Sequence, residues 1–110
     1  MENDANVVLC GANSYEQKYY LNEEFRNLPQ SIQDELKILC VTYVEDVGGI
    51  LTMEFEPEGS LMLRVHNDEM DYLFDEIGSV LKIKEIQREK RELLEALETY
   101  YQAVRAGGFQ

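Results

Sequence analysis

Residues 50–66 read ILTMEFEPEGSLMLRVH, with apolar and polar side chains alternating on both sides of Pro57-Glu58-Gly59. A period of two is typical of half-buried strands, and proline followed by glycine suits a short antiparallel connection. The sequence therefore predicts a β-hairpin over 50–66. Its register pairs, across the strands, Leu51 with Val65, Met53 with Leu63 and Phe55 with Leu61 on an apolar face, and Thr52 with Arg64 and Glu54 with Met62 on a more polar face.

A helix is predicted over 31–47, directly before the hairpin. Apolar residues recur there at spacings of three and four, which makes one continuous helical face. Ser31 stands where an N-cap is expected, and Gly48-Gly49 supplies a left-handed stop at the other end.

The C-terminal part, 68–106, is predicted to be helical. Its first half carries a broad apolar stripe suited to covering the hairpin's apolar face, formed by Met70, Leu73, Phe74, Ile77, Val80 and Leu81. A continuous helix would be about 55–60 Å long, more than the rest of a small domain can cover. We therefore expect either a break, near Gly78 or Lys82–Lys84, or a second protein chain that covers the helix.

The first thirty residues are predicted to form an irregular arm. Val7–Leu9 and Tyr19–Leu21 are short strand candidates, residues 11–14 resemble a turn, and Asn22 begins a one-turn helix. Because a two-stranded sheet is marginal in water, the hairpin needs a third strand from one of these segments or from a second copy. The predicted fold is a single α+β domain: irregular N-terminal arm, helix, β-hairpin, and long or broken C-terminal helix.

The charge balance restricts the class of partner. The 110 residues include 22 acidic and 10 basic side chains, a net charge of −12. This argues against nucleic acid, which needs clustered Lys and Arg. Residues 1–76 hold 17 acids and 4 bases, whereas residues 77–110 hold 5 acids and 6 bases. The nearly neutral C-terminal part suits docking on an acidic surface, including that of a second copy. The acidic part gives a third hypothesis, an acidic mimic that binds a basic protein partner.

No membrane partner and a cytoplasmic location are expected. The acidic N-terminus lacks the basic and apolar regions of a signal peptide, and no apolar run approaches the ~20 residues of a membrane helix.

Four residues are weak candidates for a metal site: His66, Asp68, Asp71 and Asp75. The three aspartates are spaced three and four apart, which places them on one face if the segment is helical, and carboxylates bind Mg²⁺ or Ca²⁺. Strand-end and helix-capping roles explain the same residues without a metal. A small metal-dependent or hydrolytic enzyme that uses His66 with Asp68 and Glu69, or the Glu45-Asp46 corner, is a second hypothesis. We assign no catalytic residue and no cofactor.

Cys10 and Cys40 each lie in an apolar run, without C-x-x-C spacing. Such cysteines usually act as small buried hydrophobes, so we expect inert core thiols and leave a disulfide or a reactive thiol open.

The paired tyrosines predict an interface. Neighbouring side chains of Tyr19-Tyr20 or of Tyr100-Tyr101 cannot share one buried face, and tyrosine is enriched in interfaces. The leading hypothesis is a non-enzymatic, self-associating interaction module that forms a homodimer. Its predicted interface residues are Tyr19, Tyr20, Leu93, Leu97, Tyr100, Tyr101 and Val104.

Three segments carry a family resemblance: Leu9–Asn22, Glu45-Asp-Val-Gly-Gly49 and Tyr72-Leu-Phe-Asp-Glu-Ile77. The sequence resembles a small family of hypothetical proteins from anaerobic Gram-positive bacteria, over nearly the whole chain. The resemblance implies a bacterial, cytoplasmic protein of unknown function and transfers no catalytic residue.

Overall fold

The computed structural model describes residues 5–105 and 107. Four strands form one antiparallel sheet in the order β2-β1-β3-β4, and the strands are β1 (Val7–Asn13), β2 (Lys18–Leu21), β3 (Ile50–Phe55) and β4 (Leu61–His66). A 3₁₀ turn covers Glu23–Phe25, and the helices are α1 (Gln30–Val47), α2 (Glu76–Glu89) and α3 (Arg91–Arg105). The α+β class is therefore confirmed.

The β3–β4 hairpin has the predicted register. Leu51 pairs with Val65, Met53 with Leu63 and Phe55 with Leu61, and the polar-face pairs also match. The turn is closed by hydrogen bonds from Glu56 N to Ser60 O and from Gly59 N to Glu56 O, each 2.8 Å. Gly59 has a φ of +106°, a conformation that favours glycine.

The prediction of an irregular N-terminal arm is wrong. β1 and β2 form a second hairpin, and β1 pairs along the whole of β3, so the third strand comes from this chain's own Val7–Leu9 region and continues to Asn13. A bulge between Val8 and Cys10 breaks the alternation, so Leu9 and Cys10 are both fully buried. The bulge hides the period of two that would have identified this strand.

Helix α1 lies within one residue of its predicted bounds, but its cap differs. Pro29 occupies the N-cap and makes no side-chain capping bond, which places Ser31 inside the first turn. Gly48 and Gly49 both have positive φ, +83° and +75°. With a ψ of −169°, Gly48 is extended instead of left-handed helical as predicted, a conformation essentially confined to glycine.

The C-terminal helical region begins later and breaks elsewhere than predicted. Residues 68–75 form turns, because aspartate side chains bond the backbone ahead of them: Asp68 accepts from Met70 N, Asp71 from Leu73 N and Asp75 from Gly78 N. The break falls at Lys90, not at Gly78 or Lys82–Lys84. Lys90 Nζ lies 3.1 Å from Glu35 Oε2 of α1, so the bend is held against the body of the domain.

The core lies between one face of the sheet and the helices. Cys40 of α1 contacts Met53 of β3, and Tyr101 of α3 stacks on Phe55 with ring centres 4.1 Å apart. The opposite face of the sheet carries Glu54, whose carboxylate accepts hydrogen bonds from Thr52 Oγ1 (2.7 Å) and Asn6 Nδ2 (3.1 Å).

Candidate functional site

The four metal candidates do not converge on one point. His66 is exposed at the end of β4, and Asp75 caps α2 by accepting a 2.8 Å hydrogen bond from Gly78 N. Asp71 Oδ2 accepts a 2.6 Å hydrogen bond from Tyr15 Oη, which raises the pKa of Tyr15. Asp68 Oδ1 accepts a 2.8 Å hydrogen bond from Met70 N, and Asp68 N donates one of 3.0 Å to Tyr15 Oη. Across residues 5–105 and 107, no three His, Cys, Asp or Glu side chains form a group able to hold a metal ion.

The Glu45-Asp46 corner connects two helices. Asp46 Oδ2 lies 3.0 Å from Lys82 Nζ of α2, and this hydrogen-bonded ion pair raises the pKa of Lys82. Acidic residues at a helix C-terminus oppose the helix dipole, and Lys82 supplies the compensating charge. The α1–α2 contact therefore accounts for Asp46, whereas Glu45 is exposed.

The two cysteines form a buried sulfur cluster with Met53. Cys10 Sγ and Cys40 Sγ are 3.8 Å apart, well beyond the ~2.05 Å of a disulfide, and each lies 3.7 Å from Met53 Sδ. All three side chains are fully buried, which confirms the prediction of buried free thiols. A hydrogen bond with Cys10 and burial raise the pKa of the Cys40 thiol, so it stays protonated and unreactive.

Tyr19 lies beside this sulfur cluster. Its hydroxyl is buried and has no hydrogen-bond partner among the described residues. Burial, followed by the charge that either thiolate would carry, raises the pKa of Tyr19.

We expect the free energy of unfolding to fall at alkaline pH. A folded-state pKa raised above its unfolded value gives stability that is complete below the unfolded pKa, ~8.5 for Cys and ~10 for Tyr. Above those values the unfolded state releases protons that Cys40 and Tyr19 retain when folded, so stability declines by up to about 1.4 kcal/mol per pH unit for each group. Urea unfolding across neutral and alkaline pH measures this slope.

Two variants test whether Cys40 and Tyr19 cause the loss of stability at alkaline pH. Cys40→Ala and Tyr19→Phe each remove one titrating group and should flatten the profile, whereas Ile38→Ala, which removes an exposed apolar side chain and no titrating group, should leave its slope unchanged. A wild-type profile that is already flat would contradict the raised pKa values.

The main feature of the surface is a set of exposed apolar side chains in and before α2, here called the α2 surface. Among the described residues, six of the ten exposed large hydrophobic side chains belong to it: Met70 (69% exposed), Tyr72 (84%), Leu73 (92%), Ile77 (77%), Val80 (55%) and Leu81 (62%). Single apolar residues are normal on a protein surface, whereas six large exposed ones within residues 70–81 are an unusual concentration.

The sequence predicted a different role for these residues. The stripe was expected to cover the hairpin's apolar face, yet only Phe74 is partly buried against the core. The hairpin's apolar face is instead covered by α1 and by Tyr101 of α3, and the inward residues of α2 are Ser79 and Ile86. Apolar periodicity alone cannot distinguish a stripe that covers the core from one that faces outward.

The chain matches a protein-family model along nearly its whole length. A family model described as a family of unknown function, DUF6145, matches residues 6–108. The chain belongs to this family. The match spans all four strands and all three helices, so the fold described above is that of the matched region. No curated protein and no solved structure matches the chain.

Membership in DUF6145 confirms the resemblance to a family of unknown function, whereas the bacterial source stays a prediction. Within the described residues of this DUF6145 chain, every helix is too short or too polar to cross a lipid bilayer.

The predicted interface residues of the DUF6145 chain are dispersed. Leu97 is 3% exposed, and Tyr101 stacks on Phe55, so contacts within the chain account for both. Tyr20 and Val104 are exposed. Three others are partly buried against the core: Tyr19, Leu93 and Tyr100.

The DUF6145 chain also has a cleft of about 670 Å³ between α1 and the turn that joins β1 to β2. Its charged lining residues are Lys18, Lys37 and Glu45, and all three are exposed to solvent. Functional sites usually hold desolvated titratable groups whose pKa values are shifted. Tyr19, whose hydroxyl is buried and whose pKa is raised, also lines this cleft and is its one lining residue among the described ones with both properties.

Proposed function

We propose that the chain is a non-enzymatic, self-associating interaction module whose contact surface is the α2 surface. The observation that carries the proposal is the exposure of six large apolar side chains within residues 70–81, each at least 55% accessible. Burying such side chains against a partner is favourable by about 25 cal/mol per Å² of apolar surface. A homodimer is the assembly that this surface would form.

The charge distribution supports contact through α2. Each copy carries a net charge of −12, and the excess acid lies in residues 1–76. Two copies that approached through their acidic parts would repel each other. Ile77, Val80 and Leu81 lie in residues 77–110, whose 5 acids and 6 bases let two copies meet with the least repulsion. Met70, Tyr72 and Leu73 lie in the acidic part and would be at the edge of such a contact.

A basic protein partner is the second candidate. Acidic residues Asp68, Glu69 and Glu76 are exposed and interspersed with the apolar residues of the α2 surface. Such a border of carboxylates would suit a partner with a basic rim around an apolar centre. The self-associating module is favoured because the second half of α2 also exposes Lys84 and Arg88, and these charges would repel a basic partner.

The test compares two glutamate substitutions by sedimentation equilibrium at micromolar concentration. The wild type should sediment as a dimer. Leu81→Glu should raise the dissociation constant at least about tenfold, because it places a carboxylate in the apolar contact. Tyr20→Glu is the matched control, since Tyr20 is also more than half exposed but lies on β2.

The possible results separate the hypotheses. A wild-type monomer throughout this range would overturn self-association and leave the basic partner as the remaining proposal. Loss of the dimer in Tyr20→Glu but not in Leu81→Glu would move the interface to the tyrosine pair at residues 19–20.

A further inference from the structure

We infer that two copies pair through antiparallel α2 helices, with Glu76 of each copy opposite Lys84 of the other. This inference rests on the proposed self-association and specifies its geometry. It names the partner, a second copy of this chain, and the two ion pairs that orient it.

The positions of three residues on α2 carry the inference. Glu76, Val80 and Lys84 follow one another at four-residue spacing, which places them in one row along the helix. At 1.5 Å per residue, Glu76 and Lys84 lie about 6 Å on either side of Val80. A two-fold axis through Val80 therefore brings the acid of one copy over the base of the other, twice.

Apolar side chains fill the space between these charges. Ile77 and Leu81 lie beside Val80 in the adjacent row, and all three are more than half exposed. The row at four-residue spacing thus runs from acidic Glu76, through apolar Val80, to basic Lys84 and Arg88, whereas Glu85 and Glu89 lie outside this row. A pattern of this kind complements itself only in the antiparallel sense, since a parallel pair in register would place Glu76 against Glu76.

The two charges are available for an intermolecular contact. Lys82 is held by Asp46 at 3.0 Å, and Arg88 lies 3.6 Å from Glu89. Glu76 and Lys84 are exposed, and neither side chain makes an ion pair or hydrogen bond within the described part of the chain. They are about 12 Å apart along one helix, too far to pair with each other.

Charge exchange tests this arrangement by sedimentation equilibrium of the full chain. Glu76→Lys and Lys84→Glu each convert both attractive contacts of the dimer into repulsive ones, and each should raise the dissociation constant about tenfold. The double variant restores opposite charges across the axis and should return the dissociation constant to within about threefold of wild type.

Glu95→Lys controls for net charge. Glu95 is exposed on α3, so this variant makes the same charge change as Glu76→Lys outside the proposed contact. It should not weaken the dimer. Thermal unfolding of each variant verifies that it is folded.

Cross-linking supplies an independent readout. Val80→Cys places two thiols at the axis, so mild oxidation should give a covalent dimer, whereas Gln102→Cys on α3 should not. The native cysteines do not interfere, because both are fully buried.

The outcomes distinguish this inference from the function on which it rests. If the wild type is a dimer that Leu81→Glu dissociates, but the double variant binds no better than the single ones, the antiparallel pairing is wrong and self-association stands. A monomeric wild type would instead overturn the proposed function itself.

Discussion

Replacement of Phe55 with alanine should lower the free energy of unfolding by about 3–5 kcal/mol. Phe55 is fully buried at the end of β3. Its ring is stacked on Tyr101 at 4.1 Å and lies 5.6 Å from the Phe25 ring, so three segments of the chain meet at this side chain. Truncation removes the ring that Phe25 and Tyr101 both contact and leaves a cavity. The three segments around this cavity are held by their own packing and cannot easily move in to fill it.

Urea unfolding followed by far-UV circular dichroism measures this loss. Ile38→Ala is the matched control, because Ile38 is apolar but 66% exposed on α1, and its loss should be within about 0.5 kcal/mol. Tyr101→Phe keeps the stacked ring and should also remain close to wild type. Equal losses for Phe55→Ala and Ile38→Ala would show that the three-ring cluster does not form.

Replacement of Gly49 with alanine should lower the free energy of unfolding by about 3 kcal/mol or more. Gly49 has a φ of +75°, which strains any other residue. An added Cβ would also lie 2.7 Å from His66 O and 2.8 Å from Phe74 Cε1, closer than atoms can approach. The junction cannot move freely, because Gly49 O accepts a 3.0 Å hydrogen bond from Ser14 N.

Gly48→Ala separates the effect of backbone strain from the effect of the close contacts that an added Cβ would make. Gly48 also has a positive φ, +83°, but its added Cβ would be 3.8 Å from Phe74 Cδ1, an ordinary contact. This variant should lower the free energy of unfolding only by the conformational strain, about 1–3 kcal/mol, because φ +83° with ψ −169° is a region essentially confined to glycine. Urea unfolding of both proteins gives the comparison. If both variants lose the same free energy of unfolding, the close approach of β4 to residue 49 does not contribute to the loss in Gly49→Ala.

The hairpin and α1 were predictable because their signals are local. Alternation in β3 and β4, together with the turn at Pro57-Glu58-Gly59, determines the register to the residue. Three- and four-residue spacing, ended by two glycines with positive φ, determines α1. In both cases, residues that are near in sequence set the periodicity.

The N-terminal hairpin was not predictable by the same means. β1 has no regular alternation because of its bulge, and it is held by pairing with β3, some forty residues away in sequence. Gly11 resembles a turn residue, but it is needed because an added Cβ would lie 2.8 Å from Leu51 O of the neighbouring strand. That requirement becomes visible only once the strands are paired.

The exposure of the candidate site could not be predicted from the sequence either. The apolar residues of 70–81 were visible in the sequence, but their exposure was not, and the carboxylates of 68–75 are turn and capping residues instead of one helical face. For the interface, the sequence indicated tyrosine pairs, whereas Tyr101 is used within the chain's own core.

The sequence by itself determined the α+β class, the hairpin register, the span of α1 and the separation of an acidic part from a nearly neutral one. Only the tertiary structure decided which apolar residues are buried. The physical reason is that periodicity defines a face, but burial depends on what else competes for the space against it. Here α1 and α3 cover the sheet, and the apolar residues of the α2 surface are left facing solvent.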